Sequence, residues 1–424
     1  MIPSINPLVL NLKESATLSI NMMVKRLRSE GQDVCHFGFG QAPFPVAGII
    51  QEALRANAHR NIYLPTEGLP ELREAVSQFY KNEFDLVFSP DDVFIGPGSK
   101  ELIFQTSYLL EGSLLVPAPS WVSYGPQATI RGKRLYPIET SRDNAYKLTA
   151  IDLDRACHHM GQQQKMLILN NPNNPTGAVY REEELEEIAQ ICRAYKVIVI
   201  SDEIYAMIDF TGRKHASLAK YYPEGTIVSG GLSKSFAAGG YRLGVMLIPE
   251  ELTSIKCALR SVISETFSAV SAPIQHAAVA AYGRFDEIRD EINLNTDIYQ
   301  YASGYLYRRF LEMGLNCPEP AGAFYLFPDF ENYAEKLKKK GILTGIKLTE
   351  DLLSTKGVAF LPGSDFYFPA TNLGVRVASV DFDGAAVRDA WPGAENMDED
   401  LDRRLFPRLV EGCNRLSDYL EALD

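Results

Sequence analysis

KMLILNNPNNPTG (residues 165–177), VIVISDEIY (197–205) and TIVSGGLSK (226–234) share one pattern, a short apolar run that ends abruptly in polar residues. Each run has the length of a strand buried on both faces and is too short for a helix. Between the first two lies REEELEEIAQICRAYK (181–196), a helix with acids in its first turns and Arg193 and Lys196 near its end, as the helix dipole favours. The acidic cluster Glu182 to Glu187 therefore reads as a solvated helix face.

Outward from this centre the alternation continues. PELREAVSQFYKNE (70–83) has helical spacing of Leu72, Val76, Phe79 and Tyr80; VFIG (93–96) reads as a strand, 99–111 as a helix and LLVP (114–117) as a strand. Strands alternating with helices predict an α/β fold with a mostly parallel central sheet flanked by helices. After about residue 300 the texture changes. YASGYLYRRFLEMGL (301–315) reads as a helix, GAFYLF (322–327) as a strand, TEDLLSTKG (349–357) as a helix, GVAFLPG (357–363) and GVRVASV (374–380) as strands, with a last helix near 404–422. The segment 381–403 is acidic and irregular, with no role assigned. The expected organisation is an N-terminal arm that joins the small domain (1–45), a large domain (46–300) and a smaller α+β domain (301–424).

Composition narrows the function classes. A chain of 424 residues with 46% hydrophobic and 23% charged residues can bury a large core. Its net charge of −12 disfavours a nucleic-acid partner, which needs a basic face. No apolar run reaches the length of a membrane span, and MIPSINPLVLNLKES lacks the pattern of a secretory signal. Six scattered cysteines without a C-x-x-C pair fit reduced thiols in the cytoplasm, and the six histidines lack metal-ligand spacing, so no metal is expected.

In open α/β sheets ligands bind beyond the carboxyl ends of the strands. Here those ends carry Asn170 to Gly177, then Asp202 and Tyr205, then Gly231, Ser233 and Lys234. Singly, each has an ordinary reading as turn, cap or solvated surface. Together they bring an amide, a carboxylate, a phenol and an amine to one rim. A lysine amine beside glycines and an acid suits a Schiff-base lysine. Pyridoxal phosphate in addition wants an Asp against its ring nitrogen and backbone N–H groups at a helix start for its phosphate. Gly98, Ser99 and Lys100 supply such a start directly after VFIG, without the spacing of a Walker A loop.

With these residues in view, the chain resembles the class I/II aminotransferases of the aspartate aminotransferase family, pyridoxal-phosphate enzymes of fold type one. GLSKSFAAGGYRLG (231–244) matches the family's lysine signature throughout, and NNPNNPTG, SDEIY, PSWVSY (119–124), GAFYLF and YLPTEGLPELR (63–73) follow in family order over residues 15 to 380. The resemblance implies that Lys234 forms the Schiff base and then moves the proton between Cα and C4′ in ping-pong transamination. It implies Asp202 on the pyridine nitrogen, Tyr205 and Asn174 on the phenolic oxygen, and Trp121 stacked on the ring. Arg242, Ser233 and the amides of Ser99 and Lys100 would hold the phosphate. Tyr63 would reach the phosphate of a second subunit, so a homodimer is implied. Arg376 would clamp the substrate α-carboxylate bidentately, beside Asn174 and the Gly40 loop.

Three features depart from the family pattern. FGFGQAPF (37–44) has Gly40-Gln41-Ala42-Pro43-Phe44 where Gly-Glu-Pro-Asp-Phe is frequent; Gly231 replaces a serine that commonly contacts the phosphate; and the stretch after 381 looks inserted, close enough to Arg376 to reshape the site's mouth. Ser15, Thr17 and Lys100 match positions that, in one bacterial branch, recognise the side-chain carboxylate of dicarboxylic substrates, which points to aspartate and 2-oxoglutarate. Ser15 and Thr17 read equally as a cap on the following helix, and Lys100 could serve the phosphate alone. The rival readings are a lyase or replacement enzyme on the same scaffold, a non-catalytic cofactor-binding regulator, for which the chain shows no DNA-binding extension, and a nicotinamide-dependent dehydrogenase, for which G-x-G-x-x-G after an early strand is missing.

Overall fold

The computed structural model describes residues 4–423; residues 1–3 of the expected arm and Asp424 lie outside the described residues. The chain enters through the helix Ala16–Ser29 and the two-residue strand β1 (Cys35–His36). The central sheet then builds from β2 (Val93–Gly96), β3 (Ser113–Ala118), β4 (Leu135–Glu139), β5 (Lys165–Asn170), β6 (Ile198–Asp202), β7 (Thr226–Gly231) and β8 (Gly244–Leu247). Beyond it come β9 (Tyr325–Leu326), β10 (Val358–Ala359), β11 (Leu361–Pro362) and β12 (Val375–Ala378).

The large sheet has the order β2-β8-β7-β6-β5-β3-β4, and β8 alone runs against its neighbours. β3 and β5 are buried at every position, as expected for strands covered by helices on both faces. The helix Glu182–Tyr195 shows how the cover is made. Leu185, Ile188, Ala189 and Cys192 form its buried stripe, its acids lie in the first turn, and Lys196 ends it in the left-handed conformation. The parallel register sets Asn170 beside Asp202 and Asp202 beside Ser229, so the polar ends of β5, β6 and β7 share one rim. β8 was not anticipated from the sequence. It returns antiparallel beside β7, with no helix of regular length in the connection between them.

The smaller unit joins both ends of the chain. β1 pairs in parallel with β10, and β12 lies between β11 and β9. Strands expected over six or seven residues are here two to four residues long. The helix Arg289–Glu312 runs without a break across residue 300 and contributes to both the large-domain and small-domain cores.

The acidic segment after 380 is not irregular. Asp383 caps the helix Gly384–Ala390, accepting from Ala385 and Ala386 N–H, and Asp398 caps the helix Glu399–Leu405, accepting from Leu401 N–H. Two of its acids are therefore helix caps, and Asp381 accepts from Arg28 (2.8 Å) and from the His36 amide (2.7 Å). This segment grips residues 36–44. Ala378 N–H donates to Phe37 O, Arg376 donates to Gly38 O, and Gly384 lies directly against the Pro43–Phe44 backbone.

A Cβ on Gly384 would sit 2.6 Å from the Pro43 carbonyl. Gly384→Ala is therefore expected to lower stability by about 1–3 kcal/mol through overpacking, read as a lower denaturant midpoint at unchanged slope. An unchanged midpoint would show that this contact does not hold the 40–44 loop.

Candidate functional site

A cleft of about 510 Å³ opens where the polar rim of the large sheet faces the small unit. It is lined by Thr17, Gly40, Ser99, Lys100, Trp121, Asn174, Asp202, Tyr205, Ser233, Lys234, Arg242 and Arg376, thus by twelve of the fourteen residues singled out from the sequence. Ser15 and Tyr63 are not among its walls. Ser15 stands at the start of the helix Ala16–Ser29, makes no side-chain cap bond, and meets Thr17 hydroxyl to hydroxyl at 2.9 Å. Tyr63 is 94% exposed, with Ile62 exposed beside it.

Asp202 ends β6 and is buried. Its Oδ2 accepts from the Tyr124 hydroxyl at 2.7 Å, while Oδ1 has no partner among the described residues. Burial pushes its carboxyl up to about 6, against the opposing pull of Tyr124 and the Ile204 amide. A buried carboxylate with one unpaired oxygen is stable only beside a cation or donor. A protonated pyridine nitrogen would supply one.

Asn170 closes the turn beneath this carboxylate. Its Nδ2 donates to Asp202 O at 2.8 Å, and its Oδ1 accepts from Asn174 N–H at 2.7 Å. The turn thereby presents the Asn174 side chain, whose Oδ1 accepts from Arg376 Nη1 at 3.3 Å. Arg376 is 1% exposed. Its Nη2 donates to Gly38 O at 2.6 Å, and Nε is left unpaired. Phe366 and Tyr325 lie 5.2 and 4.9 Å below the guanidinium, where their ring faces favour the cation.

Lys234 follows β7. Its Nζ donates to Gly40 O at 2.6 Å, which ties the loop 38–44 to the floor of the cleft. At the other end, Gly98 (φ 98°) starts the helix Ser99–Leu109 with no side-chain cap, leaving its first amides free. A Cβ on Gly98 would run into the Arg242 guanidinium, and one on Gly244 into the Ser99 amide, so two glycines keep the cradle open. Arg242 borders it, donating to Pro97 O and Gly239 O at 3.2 Å each. Free helix-start amides beside an arginine favour an anion at this end of the cleft. The Lys100 amine lies 5.1 Å over the Trp121 ring and donates no hydrogen bond among the described residues. Burial first, then the charges of Arg242 and Lys234, hold its pKa below the usual range.

Sequence reading missed Tyr124, Asn170, Gln41 and Tyr325. Tyr124 stands at the end of PSWVSY and Asn170 at the end of β5, so both were in quoted motifs. Nothing local marks their partners, which lie 78 and 32 residues away in the chain.

The sign of the Asp202 shift gives a test. Below about pH 4 the carboxyl is protonated in folded and unfolded chains alike. As pH rises through about 6 the cofactor-free protein must ionise a buried group, a cost on the order of 3 kcal/mol. Cofactor-free Asp202→Asn is therefore expected to gain stability over the parent between pH 4 and 7. A difference that does not change with pH would contradict a strained, buried carboxyl.

The family model for aminotransferase class I and II matches residues 32–382. Aspartate aminotransferase of Bacillus subtilis (strain 168) is 30% identical over 367 residues, covering 84% of this chain and 90% of the relative. A probable aspartate/prephenate aminotransferase of Aquifex aeolicus (strain VF5) is 33% identical over 370 residues, covering 85% and 91%. Among solved structures, aspartate aminotransferase from Thermus thermophilus with maleate superposes with a TM-score of 0.84 at 26% identity, covering 98% of this chain and 100% of that one. No helix among the described residues is long and apolar enough to cross a membrane. With the match spanning both the sheet and the cleft, the chain belongs to the aminotransferase class I and II family.

Proposed function

We propose that the cleft binds pyridoxal 5′-phosphate and transfers an amino group from an amino acid to a 2-oxo acid, with aspartate and 2-oxoglutarate as the substrate pair. The observation that carries this reading is the buried Asp202 carboxyl, with one unpaired oxygen, in the same cleft as the Lys234 amine. The residues present fit the cofactor: Asp202 Oδ1 for the ring nitrogen, the open amides at Ser99 and Lys100 with Arg242 and Ser233 for the phosphate, Trp121 for the ring face, and Lys234 for the aldehyde carbon. When bound, pyridoxal phosphate supplies an electron sink for the pair left as a Cα–H bond breaks.

The protein's own part is to bind, orient and move protons. Arg376 takes the α-carboxylate, and its buried, doubly anchored guanidinium fixes the direction in which that carboxylate enters. Asn174, bonded to the same guanidinium, holds the carboxylate's position relative to the ring. With the cofactor bound, Lys234 Nζ would take the proton from the substrate Cα and give it to the cofactor's C4′, across the nitrogen that joins the two carbons. Asp202, kept ionised by a cation on Oδ1, holds the proton on the ring nitrogen. Tyr205 donates to the phenolic oxygen. Among the described residues that line the cleft, Lys100 is the cation whose side chain makes no hydrogen bond, and with Thr17 it supports recognition of a second carboxylate.

The relatives named aspartate aminotransferase support the dicarboxylic pair. A homodimer is part of the proposal. The exposure of the large side chains Tyr63 and Ile62 supports a contact with a second copy, in which Tyr63 would serve that copy's phosphate. All six cysteines are unpaired and four are buried, which supports a cytoplasmic location.

Incubated with aspartate and 2-oxoglutarate, the protein is expected to form oxaloacetate and glutamate in equal amounts. Release of ammonia instead would assign an elimination. Lys100→Ala is expected to lower kcat/KM for aspartate about 10- to 100-fold, the worth of one charge-assisted contact, with little effect on alanine. Equal losses on both substrates would limit Lys100 to the phosphate.

A further inference from the structure

Tyr325, in GAFYLF on β9, has no role assigned from the sequence, yet it touches three residues of the site. Its hydroxyl is 3.0 Å from the Tyr205 hydroxyl. Its ring meets the Tyr205 ring edge-on at 5.7 Å and carries the Arg376 guanidinium on its face at 4.9 Å. Its hydroxyl occupies the space that a Cβ on Gly40 would need. Both phenols are buried.

A tyrosine hydroxyl has one proton to give and two lone pairs to receive. If Tyr205 gave its proton to Tyr325, it would have none for a ligand in the cleft. If Tyr325 gives its proton to Tyr205, the Tyr205 proton is free and pointed by the remaining geometry of its oxygen. The second arrangement is the one that leaves the Tyr205 proton for the cleft, and the Tyr325 hydroxyl has no acceptor other than Tyr205 among the described residues. The charges that act on Tyr205 are Lys234, 5.5 Å over its ring, Arg376 and Asp202. Gly40 completes the device, because only a residue without a side chain leaves the Tyr325 hydroxyl in place.

We infer that Tyr325 is a positioning residue that donates its hydroxyl proton to Tyr205 and so commits the Tyr205 proton to the phenolic oxygen of the cofactor. This rests on the proposed function. It adds that the carboxylate clamp and the cofactor's phenol are joined by a second connection, Arg376 to Tyr325 to Tyr205, alongside that through Asn174. A substrate carboxylate that neutralises Arg376 would be felt at Tyr205 through one side chain.

Tyr325→Phe removes only the hydroxyl. The readout is the pH midpoint of the visible band of the bound cofactor, titrated without substrate. A donor to the phenolic oxygen stabilises negative charge there and lowers the site's proton affinity. Weakening it is expected to raise the midpoint by about half a pH unit, the size of one neutral hydrogen bond. Tyr205→Phe should raise it further, and Tyr325→Phe should add little in that background, because both act through one proton. Gly40→Ala, which pushes the Tyr325 ring and hydroxyl out of place, should move the midpoint in the same direction. A Tyr325→Phe protein that binds the cofactor with an unchanged midpoint overturns the inference, as does full additivity with Tyr205→Phe. A parent protein that shows no visible band with added pyridoxal phosphate overturns the proposed function itself.

Discussion

The carboxylate of Asp202 is the constraint on which the rest of the site turns. It lies at the end of a central strand, out of water, with one oxygen bonded to Tyr124 and the other unpaired. Holding it there requires the full parallel register of β5, β6 and β7, the Asn170 turn that bonds its carbonyl, and the helix Tyr124–Ile130 that brings in the phenol. A protein gains nothing from such a group in isolation, since burying a charge is costly unless it is paired. The geometry is stable in use only when a cation meets the free oxygen, and the amine, arginines and helix start around it are arranged for a ligand that brings one.

The second constraint is the wrapping of both chain ends around the residues 36–44. β1 pairs with β10, Asp381 takes the His36 amide, Arg376 takes the Gly38 carbonyl, and Gly384 backs Pro43 and Phe44. The loop so held presents Gly40 to Lys234 from above and Gly38 to Arg376 from the side. Two of the three departures from the family pattern, in the 40–44 loop and after residue 380, therefore meet in space. Phe44 packs edge-on against both Tyr299 and Phe382, so each departure supplies the surface that the other needs.

Much of this was legible in the sequence because the informative residues directly follow strongly apolar runs. Lys165–Asn170, Ile198–Asp202 and Thr226–Gly231 were recognisable as buried strands, and a strand's end fixes the position of the next residue to within a few ångströms. The helix start at Ser99 was legible for the same reason. What escaped is long-range. Tyr325 meets Tyr205 across 120 residues, and Gly384 meets Pro43 across more than 300, through contacts that no local pattern encodes. β8 escaped because a four-residue run after a glycine-rich loop reads as turn. The strands of the small unit were overestimated because GVAFLPG breaks at Phe360, where the chain passes from one short sheet to the other. The acidity of 381–403 masked two helices whose aspartates are caps.

The central claim is that Lys234 and Asp202 hold one cofactor between them and that this cofactor cycles between an amino acid and an oxo acid. The most direct measurement is the visible spectrum of the protein loaded with pyridoxal phosphate, followed on adding L-aspartate and then 2-oxoglutarate, in the parent and in Lys234→Ala. The account requires a visible band that bleaches with aspartate and returns with 2-oxoglutarate in the parent, and no such cycle in the variant. A band indifferent to both substrates would contradict the dicarboxylate reading, and an unaltered cycle in Lys234→Ala would contradict the account at its centre.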